Sequence, residues 1–158
     1  ARTVIEKTLE GFPHVVILSN IKENGEAIGH QPAKDIEWHF DGSGVETKHL
    51  ATCLYGVEIP KQGGDTLFAN GYLSLNALPP ALSKQVKSLS ITYSRLYLYE
   101  RLGYAKKLST EELAQFSDVT KPLVVTHPVT QREALVFSIE ECKCIDGMNE
   151  SQDRKSVV

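Results

Sequence analysis

The sequence predicts a mainly β domain with helical inserts, an α+β fold in which strands outnumber helices. Three observations carry that expectation. Short β-branched runs recur between clusters of Gly, Pro, Asn and Asp, which is the composition of strands and their turns. Leu and Val at spacings of three and four give 71–89 a helical period, and a capping-box pattern marks a short helix at 109–116. No internal repeat, low-complexity tract or charge block divides the 158 residues, so they read as one unit.

The elements follow in order. "HVVILSN" (14–20) is a β-branched run ending at Asn20, and "IKENGEAIGHQPAKD" (21–35), with Gly25, Gly29 and Pro32, reads as a loop. "IEWHFDGSG" (36–44) reads as a strand running into a Gly-Ser-Gly turn. "HLATCLYGVEIP" (49–60) is the next strand, closed by Pro60 and the loop "KQGGD", after which "TLFAN" (66–70) is a short third. Leu75, Leu78, Leu82, Val86 and Leu89 give 71–89 a helical period on both sides of a break at Pro79-Pro80. "SITYSRLYLY" (90–99) reads as a strand in which Tyr93, Tyr97 and Tyr99 are packing residues. "STEELAQF" (109–116) opens with Ser109 three residues before Glu112, the pattern of a capping box. Finally, "KPLVVTHPVTQREALVFS" (121–138) has two β-rich arms around "HPVTQR", a hairpin.

Composition narrows the function classes. With 17 basic and 20 acidic residues the formal net charge is −3, too weak a bias to draw the chain to nucleic acid or an anionic membrane. No run approaches the length of a membrane span, and "ARTVIEKTLEGF" lacks the apolar centre of a signal peptide. Cys53, Cys142 and Cys144 are odd in number and unevenly spaced, which suits reduced thiols and a cytoplasmic location. The pair in "CKC" lacks the second pair that a structural zinc site needs. Neither a nucleophile elbow nor a phosphate-binding glycine loop is present.

Chemistry concentrates in two places. In an extended "WHFD" the period of two puts His39 and Asp41 on one face and Trp38 and Phe40 on the other. An imidazole and a carboxylate so placed supply two ligands of the facial triad that holds non-haem Fe(II), provided a second histidine joins them. A surface histidine beside a surface acid is the plain alternative for His-x-Asp alone. In "GGDTLFAN" (63–70), Gly63 and Gly64 permit a tight turn, Asp65 caps it, and Thr66 enters the next strand with its hydroxyl at a fixed place. By itself this is an ordinary hairpin turn.

Together, "WHFD", then "ATCLYGVEIPKQGGDTLFANGYLSLNALP", then "VVTHPVTQREALVF" resemble the TauD/TfdA family of Fe(II)- and 2-oxoglutarate-dependent dioxygenases across most of the chain. "LSN" (18–20) and "IDGMNESQ" (145–152) also fall where that family has them. The resemblance implies a double-stranded β-helix, or jelly roll, whose sheets enclose the iron. It implies that His39 and Asp41 are the two proximal iron ligands and that Thr66 hydrogen-bonds the distal carboxylate of 2-oxoglutarate. The implied reaction decarboxylates 2-oxoglutarate to succinate and CO2 with O2 and hydroxylates a small organic substrate.

The family's distal histidine and carboxylate-binding arginine have no match within 1–158, so the chain resembles the middle of such an enzyme, a single domain truncated at both ends with an incomplete jelly roll. The isolated segment is then expected to be inactive and to leave strand edges and apolar faces uncovered. His127 and Arg132 come in the right order to replace the missing pair. His127 precedes Pro128 in a hairpin turn, however, and reads as a turn histidine, with Arg132 a solvated turn charge. His14, His30 and His49 have weaker claims, and Asp35 is placed to line a substrate pocket. The alternative function is a non-catalytic jelly-roll domain that binds a ligand or partner. Oligomeric state leaves no mark in the sequence.

Overall fold

The computed structural model describes residues 7–30, 36–46 and 49–148. Within them, short strands and short helices alternate. β1 (Thr8–Leu9) and β2 (Phe12–Val16) form an antiparallel pair, and β3 (Lys22–Glu23) and β4 (Glu26–Ala27) form another. This second hairpin lies where a plain loop was expected. Asn24 and Gly25 both have positive φ, 51° and 85°, and Asn-Gly is the pair that a two-residue hairpin turn with two left-handed residues selects.

The helical stretch 71–89 divides as its prolines dictate, into α1 (Gly71–Asn76) and α2 (Pro80–Val86). Pro80 occupies the first turn of α2, where its missing N–H costs nothing. Asn70 caps α1 with a side-chain oxygen that accepts from the backbone N–H groups of Tyr72 and Leu73. β5 (Ser90–Tyr93) follows, then α3 (Arg95–Arg101), a single 3-10 turn (Ala105–Lys107) and α4 (Thr110–Leu113). The capping box of α4 is formed, with Ser109 and Glu112 each bonding the other's backbone N–H. β6 (Val119–Pro122), the β7 (Val124–Thr126) and β8 (Glu133–Leu135) hairpin, and β9 (Cys142–Ile145) complete the order.

The centre of the structure is a three-stranded antiparallel sheet in the order β6-β5-β9. Ile91 pairs with Lys121 on one side and Ile145 on the other. Because β5 alternates, Ile91 and Tyr93 point into the core with Leu75, Val86, Leu123 and Ile145. Thr92 points out and joins the Thr120 hydroxyl at 3.0 Å and Asp146 Oδ1 at 2.7 Å.

Several expected strands are not strands here. The stretch 90–99 is strand only to Tyr93: Ser94 caps a helix by accepting from the Tyr97 N–H, and Leu96, Leu98, Glu100 and Arg101 are good helix formers. Tyr97 and Tyr99 are therefore helical, and Tyr99 packs edge-on against Tyr104 and Phe116. The "IEWHFDGSG" stretch is irregular with a turn at 41–44, and 49–70 carries no regular structure. A strand exists only where a neighbour takes up its backbone N–H and C=O groups, and among the described residues no ladder reaches 49–70. β9 lies where the sequence predicts no element. Its central residues are Lys and Cys, which carry no strong strand signal, and pairing with β5 is what makes it a strand.

Candidate functional site

The irregular 36–44 segment is fixed from outside. Ile139 N–H donates to Trp38 O at 2.9 Å, and the Glu37 carboxylate lies 3.7 Å from the Arg101 guanidinium of α3. Phe40 meets the Tyr93 ring edge-to-face, with centroids 5.8 Å apart, and so anchors the segment on the core. Trp38 does not share that role: it is half exposed, so the inward apolar face is Phe40 alone. Lys121 on β6 lies over the Phe40 ring at 5.6 Å and donates to Gly42 O at 2.7 Å.

His39 and Asp41 come together in this frame, with His39 Nε2 3.5 Å from Asp41 Oδ1. His39 Nδ1 is 2.8 Å from Glu37 O. A carbonyl oxygen can only accept, so Nδ1 carries a proton, and in the neutral ring Nε2, beside the Asp41 carboxylate, is then the nitrogen able to ligate. Both side chains are more than one-third exposed and open to solvent or a ligand. The juxtaposition that a strand was expected to create is made by a loop, because turn and sheet contacts position the two residues.

Gly42 has φ +77°, a conformation that resists other residues, and an added Cβ there would come within 3.0 Å of His49 Nδ1. His49 thus borders the turn without joining the pair. Among the described residues no group of three His, Cys, Asp or Glu side chains is arranged to hold a metal ion. Thr66 is exposed in the irregular 49–70 segment, and no hydrogen bond among the described residues links it to His39 or Asp41. Gly63 and Gly64 before it have the positive φ expected of that turn, 75° and 72°.

His127 is a turn residue. Its Nδ1 accepts from the backbone N–H groups of Val129 and Thr130, each at 3.2 Å, and its own N–H donates to Arg132 O at 2.9 Å. Arg132 is more than a solvated charge, because its guanidinium stacks 3.9 Å from the centre of the Tyr72 ring. A cleft of about 440 Å3 lies beside it, lined by Tyr72, Leu75, Ser83, Lys87, Arg132 and Glu133. None of the predicted site residues borders this cleft, and its Lys87 and Glu133 already pair with each other at 2.5 Å. His14 is exposed on β2, and the His30 backbone bridges Ile17 and Ser19. Asp35 lies outside the described residues. No disulfide joins the three cysteines, and no helix among the described residues is long and apolar enough to cross a membrane.

Sequence reasoning missed Lys121 and Glu141, which hold the 41–44 turn, and Arg95, which pairs with Glu141. The Gly-Ser-Gly turn directly after Asp41 was the available sign that something must grip this backbone.

The chain belongs to the family described as taurine catabolism dioxygenase TauD, TfdA family, which matches residues 2–155. A curated relative from Delftia acidovorans, named (S)-phenoxypropionate/alpha-ketoglutarate-dioxygenase, is 25% identical over 92% of this chain and 54% of its own length. Pentalenolactone F synthase from Streptomyces avermitilis is 34% identical over 70% of the chain and 36% of its own length. The chain therefore spans about half, or less, of the length of these relatives. A solved Burkholderia xenovorans structure, provisionally assigned as an alpha-ketoglutarate dependent 2,4-D dioxygenase, superposes with a TM-score of 0.50 at 28% identity, over 55% of this chain and 33% of that one.

Proposed function

We propose that this chain carries the proximal half of a non-haem iron site in an Fe(II)- and 2-oxoglutarate-dependent dioxygenase, a jelly-roll oxidoreductase that hydroxylates a small organic molecule. The observation that supports it most directly is the His39–Asp41 pair. Its Nε2-to-Oδ1 separation of 3.5 Å suits two donors to one ion, and the Glu37 carbonyl holds the imidazole in the tautomer that leaves Nε2 free to ligate. The donors are one nitrogen and one carboxylate oxygen, the set that ferrous iron accepts in facial-triad oxygenases. Family membership over residues 2–155 and relatives named for alpha-ketoglutarate support the same reading.

Iron bound there supplies the oxidative decarboxylation of 2-oxoglutarate and the O2-dependent hydroxylation. The chain's own residues bind and orient. His39 and Asp41 hold the metal, and the Thr66 hydroxyl donates to a carboxylate of 2-oxoglutarate. The names of the relatives, phenoxypropionate and pentalenolactone F among them, favour a small-molecule substrate over a macromolecule.

Calorimetric titration of 2-oxoglutarate into the chain with Fe(II), under exclusion of O2, tests the assignment without requiring turnover. Binding should depend on Fe(II) and fall at least about tenfold in His39→Ala and Asp41→Ala, on the scale of losses at metal sites. Thr66→Val should weaken 2-oxoglutarate while leaving Fe(II) affinity unchanged. Binding of 2-oxoglutarate that ignores the metal and both substitutions would refute the iron site and favour a non-catalytic binding domain.

A further inference from the structure

One carboxylate grips the turn behind Asp41. Glu141, 8% exposed in the bend before β9, accepts from the Ser43 hydroxyl and, at 2.6 Å, from the Gly44 N–H, both on Oε2. Its Oε1 faces Arg95 Nε at 3.4 Å, at the start of α3. Ser43 is 2% exposed, and a Cβ on Gly44 would come within 2.8 Å of Glu141 Oε2, so the glycine is what lets the carboxylate reach the backbone. The Glu141 carbonyl also accepts from Ser94 N–H at 2.8 Å, which ties this residue to the end of β5.

A buried carboxylate with three donors is satisfied and has one orientation, whereas removing it orphans a buried hydroxyl and a buried N–H. Asp41 is two residues from Ser43 and lies in no strand that could otherwise fix it. On the reading of His39 and Asp41 as metal ligands, we infer that Glu141 is a positioning residue for the metal pair, acting through Ser43 and Gly44 to set the Asp41 carboxylate against His39 Nε2. Groups that orient metal ligands typically change affinity by about 10- to 100-fold when removed.

The test is Mn(II) titration of the 15N-labelled full chain, followed by paramagnetic broadening of the amide signals of 39–44, with the β5 and β6 amide shifts reporting the fold. Glu141→Ala should raise the Mn(II) midpoint about 10- to 100-fold. Glu141→Gln, whose single oxygen can still take both turn donors, should leave the midpoint unchanged to within about 1.5-fold. If Glu141→Ala fails to fold, Ser43→Ala serves, because it removes one donor and leaves the carboxylate paired with Gly44 and Arg95; its midpoint should rise about threefold. Wild-type broadening that vanishes in His39→Ala but is unchanged in Glu141→Ala, or in Ser43→Ala where that variant stands in, overturns this inference and leaves the site reading intact. Absence of broadening near 39–41 in the wild type, or its persistence in His39→Ala, overturns the site reading and this inference with it.

Discussion

Tyr93 is 1% exposed, and its hydroxyl has the Ser138 backbone beside it but makes no well-formed hydrogen bond. Burial pushes the phenol well above its ordinary value; the Ser138 backbone offsets part of this, and Cys142 and Glu141 add to the push. The ring carries the packing, against Phe40 on the site side and the core on the other. Tyr93→Phe should therefore change stability by no more than about 1 kcal/mol, whereas Tyr93→Ala should cost about 3–5 kcal/mol. Urea unfolding measures both, and a loss above about 2 kcal/mol for Phe would reveal a hydrogen bond to the hydroxyl.

At the scale of elements, α1 sits directly on β8. A Cβ at Gly71 would come within 2.5 Å of Leu135 O, so the first turn of the helix approaches the hairpin as only glycine allows. Gly71→Ala should lower stability by about 1–3 kcal/mol, although alanine is the better helix former. A gain in melting temperature would show that the two elements are not in contact. The central sheet is clasped across its ends by Lys143 on β9, which reaches Asp118 just ahead of β6 at 2.5 Å. The Lys143 hydrogen bond, foremost, holds the Asp118 carboxyl below the usual carboxylate range, helped by the Ser94 side chain, and Lys143 is raised in return. A depressed carboxylate contributes fully above its unfolded value and loses that contribution as pH falls through the folded one. The raised lysine contributes fully below its unfolded value and loses it as pH climbs through the folded one. Asp118→Asn should thus cost under about 1 kcal/mol at neutral pH, the scale of an exposed pair, and nothing in strong acid. An undiminished cost in strong acid would rule out the ion pair as the cause.

For the molecule as a whole, the core and the 49–70 segment are opposites. Leu50 is fully exposed, and Tyr55, Val57 and Phe68 are each close to nine-tenths exposed, a run of apolar side chains over irregular backbone. Apolar area left in water forgoes about 25 cal/mol per Å2, and contiguous exposed patches promote association. The 158-residue chain should bind an apolar dye and self-associate as its concentration rises. Replacing Leu50, Val57 and Phe68 by Lys should suppress both, each substitution changing stability by no more than about 0.5 kcal/mol. A cooperative loss of several kcal/mol would mean that these side chains are packed in the folded state.

The sequence by itself determined whatever is decided within about four residues. The Pro79-Pro80 break, the Ser109–Glu112 box and the His127 turn are local hydrogen bonds and fixed dihedrals, and each lies where its residues place it. The Asn24-Gly25 turn and the Ser94 cap of α3 are equally local, and there the composition of the flanking residues outweighed the turn and cap signals. The motifs around His39, Asp41 and Thr66 also carried the resemblance to the family that matches residues 2–155. Tertiary structure decided which extended stretches became strands: β5 and β9 found each other, and 49–70 found no ladder among the described residues. It also decided how His39 meets Asp41. Their frame comes from Ile139, Lys121 and Glu141, the last 98 residues beyond the Ser43 it holds. No periodicity encodes a contact at that separation, because it depends on the chain's return path and not on spacing along it.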